Sequence, residues 1–136
     1  MISSLVILCF ALDLNAIKSE PNLERRSEMA LDYAQTQLDA ARDAYNGGDL
    51  AKWRSALDEL GAAVELSYRS LQETGKNARN NKHFKRAELK THELVRRLDG
   101  LRQSVSVDDR DAVEKVRAKV SEVHDELLQG IMSKNK

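Results

Sequence analysis

Two heptad-spaced apolar runs either side of a double glycine limit what this chain can fold into. Before Tyr45-Asn46-Gly47-Gly48-Asp49, apolar residues fall at Leu31, Ala34, Leu38, Ala41 and Tyr45. After it come Leu50, Trp53, Leu57, Leu60, Val64, Ser67 and Leu71. Steps that alternate between three and four mark one face of a helix, whereas a strand alternates every second residue. If the two helices are antiparallel about Gly47-Gly48, facing residues have numbers that sum to a constant of about 95, as Leu38 with Leu57 and Leu31 with Val64 do. Trp53 then falls opposite the small Ala41, as close packing requires. Gly47 is expected to take the left-handed conformation that ends a helix, and Asp49 to cap the next one.

The same arithmetic predicts a second hairpin. Phe84, Ala87, Thr91, Leu94, Leu98, Leu101 and Val105 form one seam, and Val113, Val116, Val120, Val123, Leu127 and Ile131 form another. Their facing numbers sum to about 211, which places a turn at 104–109, where Ser106 and Asp109 are spaced like a capping box. The reading is an all-α protein of two long antiparallel helical hairpins, assembled as a four-helix up-down bundle. It has helices over 21–46, 50–74, 83–105 and 108–131 within a bundle of 17–132, and a tail at 133–136. One Pro and six Gly in 136 residues, with 32% of them charged, suit long helices better than sheets.

Residues 1–16 read differently. Leu5 to Leu12 is an unbroken apolar run, shorter than the roughly 20 residues that cross a bilayer. It reads as the apolar part of a secretory signal cleaved after Ala11 or Ala16, although no Lys or Arg precedes it. That places the mature chain in the periplasm or outside the cell, and removes Cys9, the one cysteine. If 1–16 is instead a buried helix, the protein is cytoplasmic.

Lys plus Arg and Asp plus Glu both number 22, so no global charge selects a partner. The local distribution is uneven. Lys76, Arg79, Lys82, Lys85 and Arg86 fall in the linker and the start of the third helix, with no acid between Glu73 and Glu88. Two roles fit these cations: flanking ion pairs that select which helices lie together, or docking of an anionic protein or envelope polymer. Assembly with a second copy is open to the same charges. Nucleic acid is disfavoured, because no aromatics interleave with the bases.

The residues that carry chemistry elsewhere are not arranged for it here. His83, His92 and His124 are the only imidazoles. No Glu-x-x-His pair of the di-metal bundles occurs, and the inward positions are apolar. There is no Gly-x-Ser-x-Gly nucleophile motif, and Gly47-Gly48 is accounted for by the turn rather than by a phosphate loop. Tyr45 and Trp53 sit at one end of a seam, where core packing explains them without a stacked ligand. Neither catalysis nor a metal or cofactor is expected.

The turn Ala44-Tyr45-x-x-Gly48-Asp49-Leu50 with Ala56 resembles that of a tetratricopeptide repeat, but no second copy follows at a period of about 34. From Ile17 to Met132, the strings IKSEPNLERRSEMALD, SLQETGKN, KHFKRAELK and ELLQGIM resemble a group of small exported bacterial helical proteins without an assigned activity. That resemblance implies export and helicity and no reaction. Two functions are therefore expected as alternatives: an exported, non-catalytic interaction or scaffold protein of the envelope, or a carrier that holds a small ligand between its hairpins.

Overall fold

Polar side chains cap the starts of three long helices, and glycines in the left-handed region follow two of them. The computed structural model describes residues 13–133. Helix α1 (Leu14–Lys18) is short, and α2 (Leu23–Asn46), α3 (Leu50–Glu73), α4 (Lys82–Ser104) and α5 (Arg110–Met132) are long. Side-chain oxygens of Asn22, Asp49 and Asn81 accept bonds from amides in the first turns of α2, α3 and α4, satisfying donors that have no partner within the helix.

At the first turn, Gly48 is the left-handed residue, with φ 79°, while Gly47 stays right-handed at φ −85°. The expected left-handed Gly47 is thus corrected by one position. Gly47 N–H still donates to the Asp43 carbonyl, so the helix continues through it. Gly48 N–H then bonds Tyr45 and Asp49 N–H bonds Ala44, which closes a Schellman motif. Gly75, at φ 69°, follows α3; its N–H bonds the Gln72 carbonyl, while Lys76 N–H donates to the Thr74 hydroxyl oxygen.

The second turn does not form the backbone capping box that Ser106 and Asp109 suggest. The Ser106 hydroxyl donates to Asp109 Oδ2 instead, at 2.9 Å. A side chain of the first hairpin completes the arrangement: Tyr45 OH donates to the same Asp109 oxygen at 3.0 Å and accepts from Ser106 N–H at 2.9 Å. One tyrosine therefore ties together the two hairpin turns at the top of the bundle.

Helix direction alternates along the chain, as in an up-down bundle. Helices α2 and α3 form one hairpin, α4 and α5 the other, and the hairpins lie side by side with α2 against α4 and α3 against α5. Each of those neighbouring pairs across the hairpins runs parallel. Arg86 bonds Glu28 and Lys90 bonds Asp32 at the same separation of 58 residues, and Tyr68 reaches Glu126 at 58. A constant difference, rather than a constant sum, is the mark of parallel helices. The segment 75–81 must then cross the base of the bundle diagonally from α3 to α4.

Trp53, Leu57, Leu60, Val64, Leu94, Leu98, Val113 and Val120 fill the centre and are at most 1% exposed. Trp53 packs at 5.0 Å from the Tyr45 ring, with no hydrogen-bond partner for its indole N–H. Ser27 and Ser67 bury their hydroxyls against each other at 2.7 Å between α2 and α3, a pairing that offsets the loss of water. Ile17 of α1 is fully buried, and Asp13 caps that helix through Ala16 N–H. The run Leu5 to Leu12, Cys9 and a junction after Ala11 lie outside the described residues; positions 13–16 contribute to α1 and its cap.

Leu57→Ala is expected to lower the unfolding free energy by about 2–5 kcal/mol, while the exposed Asp58→Ala changes it by less than about 0.5 kcal/mol. Urea denaturation of the two variants checks this, and equal midpoints would contradict the assignment of the seam.

Candidate functional site

The basic segment and the opening turn of α4 form the base of the bundle. Ala78 reaches α5 there, lying 3.4 Å from the position a Cβ on Gly130 would take. Asn81 serves two helices: its Oδ1 caps α4, and its Nδ2 donates to Glu24 Oε2 of α2 at 3.3 Å. Lys76 Nζ lies 3.0 Å from that same carboxylate. The Lys76 bond, with Asn81 second, holds the Glu24 carboxyl below its ordinary pKa.

His83 stands between two acids, with Nε2 at 3.5 Å from Glu24 and Nδ1 at 3.3 Å from Glu28, the latter without hydrogen-bond geometry. Arg86 binds Glu28 at 2.7 Å. The ladder continues upward through Asp32–Lys90 at 2.8 Å and Asp39–Arg97. Each exposed pair contributes under about 1 kcal/mol. Together they match the acids of α2 to the bases of α4 in a single register.

The five candidate cations therefore divide. Lys76 and Arg86 are engaged by Glu24 and Glu28, acids that lie 52 and 58 residues earlier in the chain. Arg79 is exposed on the strap. Lys82 and Lys85 are exposed on α4 and have no ion pair among the described residues. Sequence reasoning missed Leu89, which is 65% exposed on the same outward face, between Lys85 and Arg96. Its signal was available, since Leu89 falls outside the seam Phe84, Ala87, Thr91, Leu94.

His83 and His124 are half-buried, whereas His92 is exposed. His124 Nε2 lies 2.8 Å from Glu88 Oε2 across the second hairpin, and its ring is 5.5 Å from that of His92. Among the described residues no group of three or more His, Cys, Asp or Glu is placed to hold a metal ion. No helix among them is long and apolar enough to cross a membrane. Compared with known protein families, curated proteins and solved structures, the chain matches none.

On the flanks of α3, two tyrosines reach carboxylates. Tyr33 OH donates to Glu59 at 2.7 Å, and Tyr68 OH donates to Glu126 at 3.3 Å. Burial first, and then the adjacent carboxylate, raises the pKa of both hydroxyls above the ordinary tyrosine value. A raised folded value means that the proton is held more tightly in the folded state. The associated stability is complete below the unfolded pKa of about 10 and is lost as pH rises through the folded values. Denaturation midpoints are expected to fall as pH increases beyond about 10, with a shallower fall in Tyr33→Phe. Ultraviolet titration of phenolate checks the cause: Glu59→Gln should bring Tyr33 ionisation to lower pH.

Proposed function

We propose that this protein is an exported, non-catalytic interaction module that docks an anionic partner of the cell envelope through the base of α4. The carrying observation is Leu89, a large apolar side chain 65% exposed among Lys82, Lys85 and Arg96. Exposed leucines occur singly on many surfaces. On the face of this one, two cations, Lys82 and Lys85, have no ion pair among the described residues, whereas Arg86, Lys90 and Arg97 are matched by acids of α2, Arg96 by Glu93 of α4 and Arg102 by Glu114 of α5. An apolar centre with a charged rim is the general form of a docking patch. Against a carrier that encloses its ligand in the core of the bundle stands the apolar packing of the centre, described above.

The test is capture of partners from the envelope fraction with the full chain and with a Lys82→Gln/Lys85→Gln variant. Two exposed cations worth up to about 1 kcal/mol each are expected to weaken capture by about tenfold. Added salt should mimic the substitutions, because exposed charges are screened beyond about 10 Å at 0.1 M. Binding that withstands both the substitutions and salt would rule the docking role out.

Export rests on the apolar run before Asp13, and cleavage after Ala11 is the junction that leaves the α1 cap whole. The intact mass of protein from its native host is expected to correspond to a chain that begins at Leu12. A cytoplasmic species that retains Met1 to Ala11 would overturn this part of the proposal.

A further inference from the structure

A groove of about 300 Å³ opens between α2 and α4 at the upper end of the bundle, lined by Leu38, Arg42, Arg97, Gly100, Leu101 and Ser104. It lies fifteen residues along α4 from Lys85, or about 22 Å at the helical rise, so it is separate from the proposed docking base. Its volume is at the lower end of the range for small-molecule sites. Leu38 and Leu101 give it an apolar floor.

Its charge is unbalanced. Arg42 and Arg97 both donate to the same oxygen, Asp39 Oδ1. Two guanidiniums on one carboxylate leave one unit of positive charge beside the apolar floor. A guanidinium carries five donors in a planar fork, so each retains N–H groups for a second acceptor.

Gly100 is the third observation. Glycine is the poorest helix former apart from proline, yet it stands inside α4 without a positive φ that would require it. A Cβ placed there would meet nothing within 4 Å. Packing explains Gly61 differently, because a Cβ on it would lie 3.3 Å from the Lys119 side chain. At Gly100 neither backbone nor neighbour demands glycine, and the position opens onto the groove.

We propose that this groove binds a monoanionic amphiphile, a carboxylate on a short hydrocarbon chain. The carboxylate bridges the free N–H groups of Arg42 and Arg97, and the chain lies over Gly100 on Leu38 and Leu101. A single negative charge matches the single excess positive charge, whereas a phosphate dianion exceeds it. At about 30 Å³ for each small group the space holds roughly ten non-hydrogen atoms, the size of octanoate. A ligand of that size in an open groove is expected to bind with a Kd on the order of a millimolar.

Octanoate, octanol and octyl phosphate are the probes, titrated into the isotope-labelled full chain and followed by backbone amide NMR. Saturable shifts with octanoate, centred on Leu38, Gly100 and Leu101, are expected. Octanol and octyl phosphate should each bind at least about threefold more weakly, a difference of about 0.65 kcal/mol or more. Gly100→Ala strengthens the helix and places a methyl group in the groove; it should weaken octanoate binding severalfold with an undiminished melting temperature. Arg42→Gln, at an exposed position, should remove the preference for octanoate over octanol. Equal binding of octanol, stronger binding of octyl phosphate, unchanged affinity in Gly100→Ala, or shifts centred on the Lys82 and Lys85 base would each overturn the assignment. Because the probes report on Gly100 and Leu101, a failure here is distinguishable from a failure of envelope docking.

Discussion

Helix α3 has to be buried on more than one side, and the rest of the bundle is arranged to meet that demand. Ten of its residues are buried, against five on α5 and six on α4. Trp53, Leu57, Leu60, Val64 and Leu71 form the wide apolar seam, while Ala56, Gly61, Ala63 and Ser70 add small buried positions beside it. Small residues allow a second backbone close approach, and at Gly61 the stem of Lys119 from α5 occupies the space. A helix with one such seam is covered by one hairpin partner. With additional buried residues, α3 needs α5 as well as α2, and a second hairpin laid alongside the first supplies it.

That side-by-side arrangement makes α2 and α4 parallel neighbours, and their charges then become legible. Glu28, Asp32 and Asp39 meet Arg86, Lys90 and Arg97 at a fixed separation of 58 residues. A slip of one helical turn would set Lys90 opposite Thr36 and lose that pair, although Arg86 would then meet Asp32. Hydrophobic burial favours many packings of similar area; the ladder adds to the selection among them, each matched pair by under about 1 kcal/mol. Glu24 extends the selection to the base, where it engages Lys76 and Asn81 and so fixes how the diagonal strap enters α4. At the top, Tyr45 links the two turns through Asp109 and Ser106.

The cations left over from this matching are the ones on which both proposals rest. Lys82 and Lys85 surround Leu89 at one end of α4, and the Arg42–Arg97 pair at the other end exceeds the charge of Asp39. Both features lie along α4, the helix with more bases than its neighbours require. The proposed docking surface and the proposed ligand groove thus share one origin: a helix whose positive charge is only partly spent on holding the fold together.

Two helical hairpins were legible in the sequence because their causes are local. Apolar spacing of three and four, Gly47-Gly48, Asp49 and Asn81 act within a few residues of themselves, and each announces a helix face, a turn or a cap. Even there the choice between Gly47 and Gly48 as the left-handed residue depended on how far the last helical bonds continued. Which cations stay exposed was not legible. The acids that neutralise Lys76 and Arg86 lie 52 and 58 residues away, and no local pattern records which helix flank faces which. The groove at Arg42, Arg97 and Gly100 is likewise assembled from two helices that touch only because the hairpins lie side by side. The sequence alone determined the helices and their hairpin pairing, since periodicity and turn chemistry are properties of short segments. The parallel contact of α2 with α4, and every surface that depends on it, was decided by tertiary packing, where burial of α3 and charge register act together.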